Sequence, residues 1–533
     1  MGATVAVREV PERYNVCEIL DRNLEAGRGD KPAIHWGDET VTYAELAART
    51  HAFAAALREA GVRREERVLL VLDDSPAWPT AFVGAMRIGA VPVPVSFLDS
   101  AHNFTHYLRD SYARVVVVEA SAGDTLAGAL AEIPGELVVW SANGEHERAA
   151  PLDRLLAEHA GAEVPTLDTH RDDVAFWLYS SGSTGRPKGV VHLHHDIPYT
   201  CETFGREILE IEKHDTTFST TKLYHAYGMG NNFSFPYSVG ATTVLLSGRA
   251  NPQKILETAQ RFRPTLFFSV PTLYNAMLNL PDAGSYDLSS VRRCASAAEP
   301  LSPTVLRRWR ETFSLDILDG IGSTEMLHIY CCNRPDHIVP GTSGEPVPGY
   351  ELKLLDEEGR EVPDGEVGNL HVRGDSAHAY YWHHHEKTKA TIKGDWFFTG
   401  DRYRHDEAGG YVYEGRADDM IKVGGLWVSP IEVENALAEH PLVVEAAAVG
   451  VRADETTRVK AYLVCRAHDQ RREALEEELR EWCKARLRRY EYPHFFAFVD
   501  DLPKTLTGKI QRYKLRDVDE AAAARPTVTR TPG

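Results

Sequence analysis

Short apolar runs alternate with longer stretches of helical period, and this alternation constrains the fold more than any other feature of the sequence. Residues 68–72, 115–118 and 242–246 are apolar or β-branched runs, whereas residues 43–60 have helical spacing. Strands that alternate with helices in this way build βα units around mostly parallel sheets. The sequence therefore predicts a large α/β domain.

The texture changes after about residue 350, where short alternating segments are separated by glycines. Such segments predict a smaller, more antiparallel, β-rich subregion. Further on, residues 473–487 place Leu475, Leu479, Trp482, Cys483 and Leu487 on one helical face. We predict an N-terminal domain of residues 1–416, a small C-terminal α+β domain of residues 417–518 and a loose tail of residues 519–533.

Composition excludes several classes of partner. The chain has 533 residues, enough for two or more domains, and its formal net charge is −19. That charge argues against a broad surface for nucleic acid or anionic membrane. No long apolar run indicates export or membrane spanning, and the seven cysteines are scattered without paired spacing. We expect a cytoplasmic protein with no nucleic-acid and no membrane partner.

Residues 179–191, YSSGSTGRPKGVV, carry the most informative motif. Small and hydroxyl-bearing residues can wrap their backbone N–H groups around an anion, and a lysine adds a point charge. The spacing is not that of a P-loop, and a flexible Gly/Ser loop is the alternative. Because the motif lies between two strand-like runs, we favour phosphate binding. The predicted ligands are Ser181, Gly182, Ser183, Thr184, Gly185 and Lys188.

Six longer motifs follow one another between about residues 179 and 516: SSGSTGRPKGVVHLHHD, KLYHAYGMGNNFSFPYSVGA, DGIGSTEMLHIY, FFTGDRY, GRADDMIKVGGLWVSPIEVE and PKTLTGKIQRYKLR. In wording and order they resemble the adenylate-forming superfamily of acyl-CoA synthetases, adenylation domains and luciferases, and within it most of all the benzoate-CoA ligase group. The resemblance implies an ATP-dependent acid:CoA ligase. Such an enzyme forms an acyl-adenylate and then an acyl-CoA thioester, here on an aryl or other cyclic carboxylic acid in catabolism or natural-product biosynthesis.

The resemblance also implies roles for individual residues. Thr324 resembles the residue that touches the α-phosphate, and Glu325 resembles the carboxylate ligand of Mg²⁺, an ion that prefers oxygen. Lys509 resembles a lysine that the C-terminal lid domain brings to the active site. A fixed cation there stabilises the charge that builds up when a carboxylate attacks the α-phosphate. The alternative interpretation is that Lys509 is an ordinary exposed lysine on the surface.

The remaining nucleotide contacts follow from the same resemblance. Asp401 and Arg416 resemble residues at the ribose, although an Asp–Arg structural pair is the alternative. At Ala298 many relatives carry glycine, so the added methyl could reshape the adenine pocket. The predicted ATP and AMP contacts in this set are Ala298, Glu299, Pro300, Asp319, Gly320, Ile321, Gly322, Ser323, Asp401 and Arg416.

The acid pocket is implied to be an apolar and aromatic slot that suits a planar aryl acid. His225 stands where benzoate-type relatives tend to have phenylalanine, which leaves open a substituted ring or a bulkier polycyclic acid. His328 is either a substrate contact or a packing residue. The predicted lining is His225, Ala226, Tyr227, Ser296, Ala297, His328, Ile329 and Lys422.

The second half-reaction is implied to use a hinge at Asp418 and a path for coenzyme A past Gly424, Gly425 and Trp427. Gly424 replaces a serine of many relatives. Two other functions stay open: an enzyme that loads an acyl carrier protein, and a relative that keeps only one half-reaction. The intact Glu325, Lys509 and glycine-rich loop argue against the latter. The sequence also leaves open a homodimer and the identity of the acid.

Overall fold

The computed structural model describes residues 9–133, 137–180, 186–407, 409–417, 419–423, 426–453, 456–466, 472–504 and 510–523. Within them the chain divides into two compact units. The first comprises residues up to Leu352 together with Val372–Phe397, and the second comprises Lys353–His371 together with residues from Phe398 onward.

The described strands are, in chain order, β1 (Pro32–Trp36), β2 (Glu39–Thr42), β3 (Arg67–Val71), β4 (Val91–Val95), β5 (Val115–Glu119), β6 (Val138–Ala142), β7 (Ala150–Pro151), β8 (Val174–Ser180), β9 (Lys188–Leu193), β10 (Thr216–Ser219), β11 (Thr242–Leu245), β12 (Leu266–Ser269), β13 (Arg293–Ser296), β14 (Ile317–Gly322), β15 (Ile329–Cys332), β16 (Glu345–Pro346), β17 (Glu351–Leu355), β18 (Val367–Arg373), β19 (Tyr380–Tyr381), β20 (Ile392–Lys393), β21 (Trp396–Asp406), β22 (Gly410–Arg416), β23 (Ile421–Val423), β24 (Leu426–Val428), β25 (Val443–Ala453), β26 (Thr456–Cys465) and β27 (Phe495–Phe498).

The described α-helices are α1 (Glu18–Glu25), α2 (Tyr43–Glu59), α3 (Ala77–Arg87), α4 (Ala101–Ser111), α5 (Gly123–Leu130), α6 (Leu152–Glu158), α7 (Asp196–Thr200), α8 (Ala226–Met229), α9 (Phe235–Val239), α10 (Pro252–Phe262), α11 (Pro271–Leu278), α12 (Pro303–Phe313), α13 (His385–Thr391), α14 (Pro430–Ala438), α15 (Arg472–Lys484) and α16 (Arg512–Ala523). Short 3₁₀ turns occur at Ala120–Ala122, Ala283–Ser285 and Thr324–Met326, and π-helical turns occur at Cys201–Arg206 and Gly230–Ser234. None of the described helices is both long enough and apolar enough to cross a bilayer.

Two largely parallel sheets organise the first unit. In the larger sheet β14, β13, β12, β10, β11 and β1 lie side by side and run parallel, while β15, β16 and β2 extend its edges antiparallel. The smaller sheet has the order β4-β3-β5-β6-β7 and is parallel throughout. A third sheet pairs β8, β9 and β19 antiparallel. The predicted α/β fold with mostly parallel sheets is confirmed.

Helix α2 illustrates how local sequence sets the elements that cover these sheets. Its N-terminus is closed by a capping box, in which the Thr42 hydroxyl accepts from the Glu45 amide at 3.2 Å and the Glu45 carboxylate accepts from the Thr42 amide at 2.8 Å. Such a box satisfies two amides that the helix itself cannot bond. The helix buries Leu46, Phe53 and Leu57 and packs against α3. It begins and ends close to the predicted residues 43–60.

The second unit contains a smaller α+β arrangement. Strand β26 pairs antiparallel with β25 and parallel with β27. Helix α15 buries Leu475, Leu479 and Cys483 against this sheet, which is the face predicted from their spacing. In the same unit β21 and β22 pair antiparallel, with Asp401 opposite Arg416. A separate C-terminal α+β region is therefore confirmed.

A buried ion pair joins the two parallel sheets of the first unit at the carboxyl ends of their strands. Lys222, which follows β10, donates to the Asp73 carboxylate at 2.7 Å and to the Leu246 carbonyl at 2.6 Å. Asp73 follows β3, and its other oxygen accepts from the Gly248 amide beyond β11. Both charged side chains are almost fully buried. Removing one partner of such a pair leaves an uncompensated charge in the interior.

We therefore predict that Lys222→Met lowers the free energy of unfolding by about 3–5 kcal/mol. The control is Arg261→Met, which breaks an exposed pair with Asp38 and is expected to cost less than about 1 kcal/mol. Urea denaturation of both variants, followed by tryptophan fluorescence, measures the difference. Equal losses in the two variants would contradict the structural role assigned to Lys222.

Candidate active site

The two ends of the predicted phosphate loop are held together by a hairpin. Ser180 ends β8, Lys188 begins β9, and the two residues are register partners in the antiparallel pair. His106 donates from Nε2 to the Pro187 carbonyl at 2.8 Å, which fixes the chain just before the lysine. The loop therefore leaves and re-enters one rigid sheet.

Three parallel strands end side by side next to the predicted adenine segment. Ser269, Ser296 and Asp319 are register partners at the ends of β12, β13 and β14. Ligands of open α/β sheets commonly bind beyond the carboxyl ends of such strands. Burial raises the pKa of the Asp319 carboxyl to about 8. Hydrogen bonding from Ser296 and from the backbone at Leu301 and Gly320 opposes this shift of the pKa.

Strand β14 runs directly into the turn that carries Thr324 and Glu325. The turn is a single 3₁₀ turn, and the Ser323 hydroxyl accepts from the Met326 amide at 3.2 Å. Gly322 is needed just before it, because a Cβ there would lie 2.5 Å from the His328 carbonyl oxygen. The close return of β15 against β14 therefore determines where the turn lies.

The Glu325 carboxylate connects this turn to the phosphate loop. Its Oε1 accepts from the Tyr381 hydroxyl at 2.9 Å and from the Ser180 hydroxyl at 3.3 Å. Tyr381 is buried, whereas Glu325 is only partly buried. The structure thus brings the first residue of the loop within hydrogen-bond distance of the predicted Mg²⁺ ligand. A partly exposed carboxylate held by neutral hydroxyls presents the oxygen chemistry that Mg²⁺ requires.

The turn is also fixed through its backbone. Three groups donate to its successive carbonyls: His192 Nε2 to Thr324 at 2.8 Å, the His378 amide to Glu325 at 2.7 Å, and the Ser376 hydroxyl to Met326 at 2.8 Å. The His378 ring is buried, and burial lowers its pKa to about 4, so the ring is neutral at neutral pH. The turn therefore has little freedom to move.

The predicted acid pocket centres on His328. Its Nε2 lies 3.2 Å from the Asn231 side-chain oxygen, and its ring packs 5.4 Å from the Tyr227 ring and 4.6 Å from the Phe235 ring. Gly230 makes room for it, because a Cβ there would lie 2.3 Å from the imidazole. Burial lowers the pKa of His328 to about 3, so it is neutral at neutral pH.

Other predicted pocket residues lie in the same elements. Ala226 and Tyr227 begin α8, with His225 at its N-cap, and Ile329 begins β15. Ser296 is the last residue of β13, and Ala297 follows it. Lys422 lies in the second unit, exposed on β23.

Asp401 and Arg416 form an ion pair within the second unit. The guanidinium donates to the Asp401 carboxylate and to the Thr399 carbonyl, each at 3.2 Å. This contact is expected whether the two residues bind the ribose or form only a structural pair. Trp427 lies in β24. The predicted residues that fall outside the described residues are Ser181, Gly182, Ser183, Thr184, Gly185, Asp418, Gly424, Gly425 and Lys509.

The sequence matches known proteins over most of its length. Residues 20–382 match the family of AMP-binding enzymes, and residues 432–509 match the AMP-binding enzyme C-terminal domain. The benzoate–CoA ligase of Thauera aromatica is 45% identical over 514 residues, which cover 95% of this chain and 97% of that protein. The chain belongs to the AMP-binding enzyme family.

Further relatives in this family agree with that result. The 4-hydroxybenzoate–CoA/benzoate–CoA ligase of Rhodopseudomonas palustris is 40% identical and covers 95% of this chain and 94% of that protein. The structure of the anthranilate CoA ligase AuaEII with anthranoyl-AMP has a TM-score of 0.93 at 39% identity and covers 98% of this chain and 100% of that one. A benzoate CoA ligase from Burkholderia xenovorans LB400 has a TM-score of 0.87 at 42% identity and covers 94% and 100%. The predicted AMP-forming acid–CoA ligase is confirmed at the level of the family.

Several residues of this AMP-binding enzyme that sequence reasoning missed hold the predicted ones in place. Asn231 lies within the motif KLYHAYGMGNNFSFPYSVGA, and its side chain contacts His328. His192 and Tyr381 contact Thr324 and Glu325. The motif alone could have indicated Asn231 as a residue of the site. The other two contacts join residues more than fifty positions apart, which no local pattern indicates.

Ala298 has a φ of +77°, a left-handed conformation that glycine adopts without strain. An L-residue there costs about 1–2 kcal/mol, against about 0.5–1 kcal/mol of extra chain entropy for glycine. We predict that Ala298→Gly leaves the free energy of unfolding unchanged or raises it by up to about 1 kcal/mol.

The matched control for that prediction is the neighbouring Ala297→Gly. Ala297 is buried and its φ is not positive, so glycine should destabilise by about 1 kcal/mol. Chemical denaturation of both variants shows whether glycine raises or lowers the free energy of unfolding at each position. A loss of the same size in both would show that the backbone at Ala298 is not strained.

Proposed function

We propose that this enzyme activates an aryl carboxylic acid with ATP, releases pyrophosphate, and transfers the acyl group from the resulting acyl-adenylate to the thiol of coenzyme A, with release of AMP. The contact between Ser180 and Glu325 carries the proposal, because it joins the end of the phosphate loop to the acidic turn. Residues of both motifs can then contact the same triphosphate. Mg²⁺ bound at Glu325 would neutralise charge on the phosphates.

The nucleotide is proposed to bind beyond the ends of β13 and β14. Ala298, Glu299 and Pro300 would lie along the adenine, with Asp319, Gly320, Ile321, Gly322 and Ser323 beside them. The position of Ser296 and Asp319 at the carboxyl ends of β13 and β14 supports this, because ligands of open α/β sheets commonly bind there. Asp401 and Arg416 are proposed to hold the ribose through charge-assisted hydrogen bonds.

The first half-reaction is proposed to be carried by Thr324 at the α-phosphate and Lys509 between the attacking carboxylate and the phosphorus. For the second, we propose that residues 417–518 turn as a lid about Asp418 and open a path for coenzyme A past Gly424, Gly425 and Trp427. Each half-reaction would then use a different face of the lid.

The acid is proposed to lie between Tyr227, His328 and Ile329, with Lys422 near the carboxylate. The aromatic surroundings of His328 support a planar ring. The relatives are ligases of benzoate, hydroxybenzoate and anthranilate, which supports an aryl acid. The seven cysteines carry free thiols, which supports a reducing, cytoplasmic setting. A homodimer and an acyl carrier protein as acceptor remain alternatives.

We predict that Lys509→Ala slows acid-dependent pyrophosphate exchange by about 10²–10³-fold, because a charge in the transition state loses its counter-ion. Thioester formation from a synthetic acyl-adenylate of an aryl acid and coenzyme A should fall much less. The control is Lys514→Ala, an exposed lysine on α16. Undiminished exchange in Lys509→Ala would refute the proposed chemistry. Failure of free coenzyme A to accept the acyl group would favour a carrier protein.

A panel of aryl acids tests the pocket. Tyr227, Asn231 and His328 place buried polar side-chain atoms among the aromatic rings, so a polar ring substituent could bond them. We predict that His328→Phe lowers kcat/KM by about 10–100-fold for amino- or hydroxybenzoates and by less than about threefold for benzoate. The acyl-CoA product is quantified by mass spectrometry. An equal loss for all acids would make His328 a packing residue.

A further inference from the structure

We infer that His192 and Asp196 form a positioning pair that fixes the backbone of Thr324 for adenylation. His192 lies on β9, Asp196 begins α7, and both side chains are fully buried. His192 Nδ1 lies 2.7 Å from Asp196 Oδ2, and its Nε2 lies 2.8 Å from the Thr324 carbonyl oxygen. The inference rests on the proposed function, because it concerns the residue assigned to the α-phosphate.

The hydrogen bonds determine where the protons are. A carbonyl oxygen only accepts, so His192 Nε2 must carry hydrogen and donate to Thr324. Nδ1 and Asp196 Oδ2 then share a proton, while Oδ2 also accepts from the Leu193 amide at 3.1 Å. The ring of Phe176 stacks on the imidazole at 5.1 Å and holds its plane. A carboxylate that orients an imidazole in this way controls both its tautomer and its direction.

Stability alone does not explain a pair of this kind. Burying two ionisable groups has a desolvation cost, and an apolar pair of similar volume is often as stable or more stable. The pair instead fixes the position of the Thr324 carbonyl. Lys188 and His192 lie on the same strand, four residues apart, so their side chains share one face. The strand that begins with the predicted phosphate lysine therefore also holds the catalytic turn at a fixed distance.

Asp196→Asn tests this without changing shape. The amide oxygen would still accept from Leu193, which forces the hydrogen of His192 onto Nδ1 and leaves an Nε2 lone pair against the Thr324 carbonyl. We expect kcat of pyrophosphate exchange to fall by about 30–100-fold, since small displacements in an active site have effects of this size. The KM values for ATP and acid should change less than about threefold, as expected for an interaction that matters in the transition state.

The matched control is His194→Gln. His194 is also buried and follows the same strand, but its Nδ1 accepts from the Val16 amide at 3.2 Å, away from the turn. It should lower the urea midpoint and leave kcat unchanged. Should Asp196→Asn fold poorly, the apolar double variant His192→Leu/Asp196→Leu keeps the test, and the same loss of kcat is expected.

A kcat within threefold of wild type in the folded Asp196 or double variant overturns the inference. So does a loss of rate that merely follows the loss of stability, as measured on His194→Gln. Thr324→Val separates this result from the proposed function, because it removes the hydroxyl and keeps the carbonyl. A full rate in Thr324→Val refutes the role of Thr324 itself, whereas a slow Thr324→Val beside a fast Asp196→Asn refutes only the positioning pair.

Discussion

The hydrogen bonds on the backbone of the turn Thr324–Met326 are the constraint on which the rest of the site depends. Each carbonyl of this turn accepts a hydrogen bond from a different part of the first unit. The turn follows β14, which pairs on both sides, so the sheet sets the position of the turn and the three donors set its orientation. Charge that develops in a reaction is stabilised best by groups that do not have to reorganise. A turn whose carbonyls are held by three hydrogen bonds meets that condition.

Buried polar side chains lie in the neighbouring elements. Ser296 and Asp319 lie at the ends of β13 and β14, Tyr227 lies in α8, and His328 precedes β15. Burying polar groups has a cost that natural proteins accept mainly where function requires it. Under the proposed function, the turn positions the reaction and these side chains select the ligand.

Much of this arrangement follows from sequence, and the limits are physical. The alternation of apolar runs and helical stretches predicts the parallel sheets, because that pattern depends on neighbours along the chain. The motifs predict which residues matter. They do not predict that Ser180 bonds Glu325, 145 positions away, or that His192 bonds Thr324 across 132 positions, because such pairings depend on the packing of whole sheets. The positive φ of Ala298 has the same origin, since nothing in SAAEP requires it.

The described contacts near the proposed hinge include polar ones. The Ser429 hydroxyl donates to the Glu414 carbonyl across position 418, and on the N-terminal side of that position the Glu414 carboxylate accepts from Arg404 at 3.1 Å. A cavity of about 410 Å³ opens along this junction between Arg404, Glu414, Glu432, Arg488 and Glu491. Charged groups around a cavity can exchange protein partners for water at small net cost, whereas separating an apolar interface exposes surface at about 25 cal/mol per Å². The proposed rotation about Asp418 would separate polar contacts such as that between Ser429 and Glu414 and would leave the apolar core around β25, β26 and α15 intact.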